Sequence, residues 1–257
     1  MKNIGMNKTV VIFFCLMCIG VKLFSQTKVP EDVTETLKKY KVKDKPGTYM
    51  YYNFYKAKRH PTSVIDLNLL ESGLKTVPEE IRNFKNIEVL DLSYNDISIL
   101  PAWLGELKKL KRLDIGRNKI TDIPDFVFKI KSLEYISFSS NEIKGLEIPV
   151  TNGSKLKEMD LSFNLLSDIP RSLLNLSDLK ILNLRNNLLT SIPVVLADMK
   201  FLRFLSLDNN HISDFNPTVA GATSLETLAL VNNNLSENKQ KELISLLPKC
   251  KVLFTFL

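Results

Sequence analysis

His60, His211 and Cys250 are the side chains outside the N-terminal stretch that could supply an imidazole or a thiol. A thiol beside an imidazole makes a nucleophile, and two imidazoles begin a metal site. Here the three are scattered. His60 follows the basic run KAKR, His211 sits far downstream, and Cys250 is close to the C-terminus. No GxSxG, HExxH or glycine-rich phosphate loop accompanies them. Asp91, Asp114 and Asp160 share a 23-residue phase, but Ser137 interrupts the series and no Asp-rich loop surrounds it, so calcium is not expected. The chain therefore reads as non-enzymatic, with no cofactor and no metal. The remaining regular chemistry is that of the carboxamide. Asparagine recurs at 95, 118, 141, 164, 187, 210 and 233, with Ser72 one step earlier.

Those asparagines mark a longer repeat. Segments beginning at 64, 87, 110, 133, 156, 179, 202 and 225 share one pattern at a step of 23 residues. A period of that length means stacked coils, each unable to bury its apolar side alone. In the copy IEVLDLSYNDISILP, Leu90 and Leu92 are two apart and face one side of a short strand, while Val89, Asp91 and Ser93 face the other. Ile87, Ile97 and Leu100 must reach the same interior, so the chain turns. The turn points backbone N–H and C=O groups inward, and leaving each unpaired costs roughly 1 to 3 kcal/mol. One carboxamide carries both donors and an acceptor, so an asparagine at the bend can satisfy them and bridge successive coils. Pro101 then suits the first turn of a short helical or irregular return arm, with Leu104 and Leu107 facing inward. Strands pack near 4.8 Å apart and the arms need more width, so the stack should curve with its strands on the concave side. Two copies depart from the pattern. Residues 133 to 155 carry GLEIPVTNGSK in place of the usual arm, and residues 202 to 224 carry Phe215, Asn216 and Pro217 where Ile-Pro stands elsewhere. Both arms are expected to be altered.

The segments outside the repeats have separate tasks. Lys2 and Lys8 precede the apolar run TVVIFFCLMCIGV, residues 9 to 21, and Ser25 offers a cleavage point. This reads as a signal peptide over 1–25, too short for a membrane span. Export to the periplasm, cell surface or medium is the expectation, with no transmembrane segment after cleavage. Without residues 1–25 the formal charge falls from +7 to about +4, and Cys250 is the one cysteine left. The basic runs KKYKVKDK and KAKRH are short and lie outside the repeats, so nucleic acid is not an expected partner. Residues 26–63 read as an N-terminal segment and helical cap, whose Tyr51, Tyr52, Phe54 and Tyr55 could cover the first coil. Residues 64–247 are eight repeats, the last ending in a helix that Pro248 stops, and residues 248–257 are a capping strand.

The motif LxxLxLxxNxIxxLP, seen at 87–101, 156–170 and 179–193, resembles the leucine-rich repeat family in its proline-containing 23-residue form. The lead-in YYNFYKAKRHPTSVIDLNL, residues 51–69, is similar to that of exported leucine-rich repeat proteins from Bacteroidetes. The resemblance implies an α/β solenoid: a right-handed horseshoe with a parallel β-sheet on the concave face and short helical or irregular convex arms. It also implies a concave face that binds protein or peptide, and no chemistry. Counting outward-facing positions along the strands gives a candidate patch of Tyr94, Arg112, Arg117, Tyr135, Glu158, Phe163, Ile181, Arg185, Phe204 and Asp208. Aromatic and arginine side chains are favoured interface anchors. A structural or adhesive role at the cell surface is the alternative.

Overall fold

The computed structural model describes residues 49–51, 54–151 and 153–255 of the 257-residue chain. The expected signal peptide at 1–25 and the segment 26–48 lie outside them, as does Tyr52. The described residues belong to one compact unit spanning 47–257.

Ten strands form one parallel sheet. In order across it they are β1 (Tyr49–Tyr51), β2 (Val64–Asn68), β3 (Val89–Asp91), β4 (Arg112–Asp114), β5 (Tyr135–Ser137), β6 (Glu158–Asp160), β7 (Ile181–Asn183), β9 (Phe204–Ser206), β11 (Thr227–Ala229) and β12 (Lys251–Leu253). From β2 to β11 each residue pairs with the one 23 positions on, as in Asp66↔Val89 and Val89↔Arg112. The final step is one residue longer, with Thr227 opposite Lys251. Every strand is only a few residues long, so a single inward side chain holds its centre. Leu67, Leu90, Leu113, Ile136, Met159, Leu182, Leu205 and Leu228 form that row, and all are 0% exposed. Burial contributes roughly 2 kcal/mol for each of these aliphatic side chains, before entropy is subtracted.

Proline has a different place in the arm from the one its type suggests. Pro78, Pro101, Pro124, Pro170 and Pro193 stand one residue before the helical turn, and the carbonyl of each accepts that turn's first hydrogen bond, as in Leu104 N–H to Pro101 O at 3.1 Å. The arms are 3-10 turns at 79–83, 102–106, 171–175, 194–198 and 217–221, and a short α-helix, Asp125–Phe128, in the remaining regular coil. Proline preceding the turn fixes the extended entry of the chain. In residues 202–224 the expected alteration does not occur. Asn216 takes the proline's place, its carbonyl accepts from Val219 N–H at 3.0 Å, and its side chain caps Thr218 N–H. In residues 133–155 the alteration is real: 144–151 is irregular. It is tied to the next coil instead. Asn175 Nδ2 donates to Ile148 O, and Thr151 Oγ1 donates to Asn175 O at 2.7 Å. A second small sheet pairs β8 (Ser191–Ile192) with β10 (Asp214–Phe215).

The ends are covered by different means. A short helix, α1 (Phe54–Arg59), presents Phe54 edge-on to Phe84 with ring centroids 6.2 Å apart. The cap is not helical throughout, because β1 extends the sheet beside β2. At the other end a ten-residue helix, Glu237–Leu246, is capped by Ser236, buries Leu243 and leads into β12.

Asparagine closes each bend. Asn164 Nδ2 donates to Leu161 O and Phe138 O at 3.0 and 2.9 Å, and its Oδ1 accepts from Ile143 N–H at 3.1 Å. Leu161 belongs to its own coil; Phe138 and Ile143 belong to the coil before. Asn95, Asn118, Asn141, Asn187 and Asn210 make the equivalent three-way contact. A second feature accompanies it. The residue before this position has positive φ in all eight coils, from Glu71 at 53° to Asn232 at 55°. Asparagine tolerates that left-handed conformation, but Tyr94, Arg117 and Phe163 adopt it at a cost of about 1 kcal/mol each. Truncating a buried amide should therefore be costly. Asn164→Ala leaves the carbonyls of Phe138, Leu161 and Ser162 and the N–H of Ile143 without this partner, and we expect a loss of about 3 kcal/mol or more, read as a lowered midpoint in urea unfolding.

Candidate strand-face interface

The strand face carries side chains that the core does not use. Arg112 and Tyr135 are cross-strand neighbours on β4 and β5, and the guanidinium lies 3.5 Å from the ring centroid. Glu158 on β6 is opposite Tyr135. Arg112 also approaches Asp114, Nη2 to Oδ2 4.0 Å. One step further along each coil, in the left-handed position, Arg117 sits 4.7 Å over the ring of Tyr94, and Tyr94 is 39% exposed. Phe163 occupies the same position three coils after Tyr94 and is 40% exposed. The two stacked arginine–tyrosine pairs thus share the β3–β5 part of the face.

The other predicted positions differ. Ile181 and Phe204 are buried, at 6% and 7% exposure, although neither belongs to the main core cluster. They are not protruding anchors. Asp208 is also buried and is used by the fold: Oδ1 accepts from Val231 N–H at 2.8 Å and Oδ2 from Ser206 Oγ at 3.1 Å. Arg185, at the same position one coil earlier, is half-buried.

The middle column of the strand face has a structural task that sequence reasoning missed. Asn68, Asp91, Asp114, Asp160 and Asn183 each accept a hydrogen bond from the backbone N–H two residues on, at 2.9 to 3.1 Å. The available signal was that asparagine and aspartate interchange there, which fits a shared acceptor role.

Neither thiol nor imidazole chemistry converges. His60 precedes β2 and His211 follows β9, and both are exposed. Cys250 is half-buried; burial pushes its thiol up to about 11, against a backbone hydrogen bond with Leu228 that lowers it, so little thiolate forms at neutral pH. Among the described residues no three histidine, cysteine or carboxylate side chains gather to hold a metal. No helix among them is long and apolar enough to cross a membrane.

Family models agree with this architecture. The model "Leucine rich repeat" matches residues 154–212, and "Leucine Rich repeats (2 copies)" matches residues 85–128. No curated protein matches the chain. Among solved structures, a leucine-rich repeat protein of Leptospira interrogans is 30% identical with a TM-score of 0.65, over 75% of this chain and 49% of its own. An internalin (inlF) of Listeria monocytogenes is 25% identical with a TM-score of 0.64, over 76% and 55%. An internalin C2 of the same organism shares the fold at 24% identity and a TM-score of 0.64, over 78% and 83%. The chain spans about half the length of the first two.

Five carboxylates of the face are held in an unfavourable ionisation environment. Burial is the main cause of raised values at Asp66, Glu158, Asp160 and Asp208. Asp114 is pushed up to about 6, chiefly by burial, with Asp91 and Asp160 adding repulsion and Gly116 N–H and Arg112 opposing it. The unfolded carboxyl titrates near the ordinary 3.8, so between the two values the folded chain holds the extra proton. Stability from this group is greatest below about pH 4 and falls as pH rises through about 6. Asn183 shows that an amide serves the same acceptor role one residue type away. Asp114→Asn should therefore raise stability at about pH 8 by roughly 2 kcal/mol and match the parent near about pH 4, in urea titrations at the two pH values. A variant weaker than the parent at the higher pH would show that the charge is favourable where it stands.

Proposed function

Because the chain is a leucine-rich repeat solenoid, we propose that it is a non-enzymatic binding module that receives a protein or peptide on its strand face. The observation that carries this reading is the Arg112–Tyr135 stack with Glu158 opposite it. These are long side chains, placed by short strands on a preformed surface and absent from the core cluster. Arginine and tyrosine pre-ordered by stacking lose little freedom on binding, which favours them as anchors. The working part of the patch is Tyr94, Arg112, Arg117, Tyr135 and Glu158, with Phe163 at its margin. Ile181, Phe204 and Asp208 contribute shape and support. Similarity to the internalins and to the Leptospira protein is consistent with a binding repeat module.

A second reading, a structural or adhesive element at the cell surface, draws on apolar side chains of the return arms. Ile99 and Val150 are 77% and 78% exposed, and Phe201 is 54% exposed. In that case whole cells would adsorb the chain through its arms, without need of the strand face.

The proposal includes export, supported by Lys2, Lys8 and the apolar run at 9–21, and assignment to the proline-containing 23-residue subtype found in exported bacterial proteins. The mass of the mature protein checks export: it should correspond to a chain beginning at Gln26, and a full-length mass would remove the cleaved signal from the reading. The interface is checked by immobilising the mature chain against envelope or host extract. A partner held by the parent should be recovered at least tenfold less by Arg112→Ala/Tyr135→Ala and equally by Arg171→Ala on a return arm. Equal recovery by all three chains would take the strand face out of the mechanism.

A further inference from the structure

Coils five to eight carry a strip unlike the rest of the surface. It lies on the flank where each strand runs into its asparagine bend. Just after the buried asparagine, coils two to four carry Asp96, Lys119 and Glu142, and Lys119 pairs with Asp96 at 2.7 Å. Coils five and six carry Leu165 and Leu188 instead, 39% and 43% exposed. Just before the buried asparagine, coil five has Phe163, and coils six to eight have Asn186, Asn209 and Asn232, all with positive φ. The amides of Asn209 and Asn232 approach to 2.7 Å. Asn186 approaches Asn209 to 3.2 Å, and the Arg185 Nε and Nη2 lie 3.0 and 3.2 Å from that same amide. The amides therefore form a connected row, one per coil, bordered by a ring and two leucines.

Two properties of this row limit what it can recognise. The first is its chemistry. Each carboxamide offers donors and an acceptor without charge. Leu165, Leu188 and the Phe163 ring border the row in coils five and six, and His211 and Asn234 take that place in coils seven and eight. The Arg185 guanidinium beside Asn209 is offset by the Asp208 carboxylate. A partner must combine many hydroxyl-type groups with apolar C–H faces, which is the composition of a sugar. The second is its periodicity. The amides repeat at the coil spacing, about 4.8 Å at the strands, so a ligand that meets them all must itself repeat. A chain of identical sugar units does so, whereas a peptide of mixed sequence does not. The row is also pre-ordered, because the N–H groups of Phe163, Asn186 and Asn209 donate to the carbonyls of Arg185, Asp208 and Val231 in the next coil at 2.8 to 2.9 Å. Phe163 keeps a backbone conformation that Asn would adopt more readily, and its ring is 40% exposed.

We propose that Phe163, Asn186, Asn209 and Asn232, with Leu165 and Leu188 beside them, bind a neutral oligosaccharide lying along the stack. This site shares Phe163 with the margin of the strand-face patch but uses none of Arg112, Tyr135 and Glu158, and does not depend on them.

Calorimetric titration of the intact mature chain tests it. The probes are neutral hexasaccharides of glucose, mannose and N-acetylglucosamine, an acidic galacturonate hexamer, and an uncharged Asn/Ser-rich peptide. At least one neutral hexasaccharide should bind saturably, with affinity unchanged between low and high salt. Asn209→Ala and Phe163→Asn should each weaken it at least tenfold. Phe163→Asn should melt no lower than the parent, which separates loss of binding from loss of fold. The strand-face variant Arg112→Ala/Tyr135→Ala should bind the sugar as the parent does. The proposal is overturned if no neutral hexasaccharide binds, if binding survives both strip variants, or if only the acidic hexamer or the peptide is taken up.

Discussion

Every coil of this protein depends on one interaction: a buried carboxamide that satisfies backbone groups which the bend would otherwise strand in an apolar interior. The amide reaches its own coil and the one before it at the same time. That dual reach lets a 23-residue segment with very short strands stack with its neighbours in register. Apolar burial supplies the cohesion, through a row of fully enclosed aliphatic side chains. The amide supplies the condition under which that burial is possible, since unpaired N–H and C=O groups at each bend would offset much of it.

Once the bend is settled, the rest of the surface divides by chemistry. The middle strand column is committed to holding backbone N–H groups, even at the expense of keeping carboxylates where ionisation is unfavourable. The first column and the left-handed position are free of that duty. There the chain places its stacked arginine and tyrosine pairs on one part of the sheet and an uncharged amide row on another. Ion pairs between successive coils, such as Lys111 with Glu88 and Lys157 with Glu134, are well formed at 2.7 Å but largely solvated, and each contributes little to stability.

Much of this was legible in the sequence, because the 23-residue phase ties each residue type to one geometric duty. The parallel strands, the inward row and the bridging role of Asn95 through Asn210 all follow from spacing and from the hydrogen-bonding capacity of one side chain. What was not legible depended on context. Nothing in Tyr94, Arg117 or Phe163 announces a positive φ, since their types avoid it; only Asn186, Asn209 and Asn232 carried the hint. Ile181 and Phe204 alternate outward by sequence, yet both are buried. Asp208 looked like an available charge and proved to be a cap for Val231. The arm at 202–224 looked disrupted, but Asn216 reproduces with a side-chain cap the entry that proline provides elsewhere.

The direction of the amide bridge gives the stack an inherent polarity. Each asparagine joins its own coil to the one synthesised before it, and never to the one after. On a ribosome, the most recently emerged bend therefore stays open until the next coil arrives to close it. Assembly proceeds like a zip whose teeth engage one step behind the slider. A chain cut short during translation would be left with one raw bend at its growing tip and every earlier bend complete.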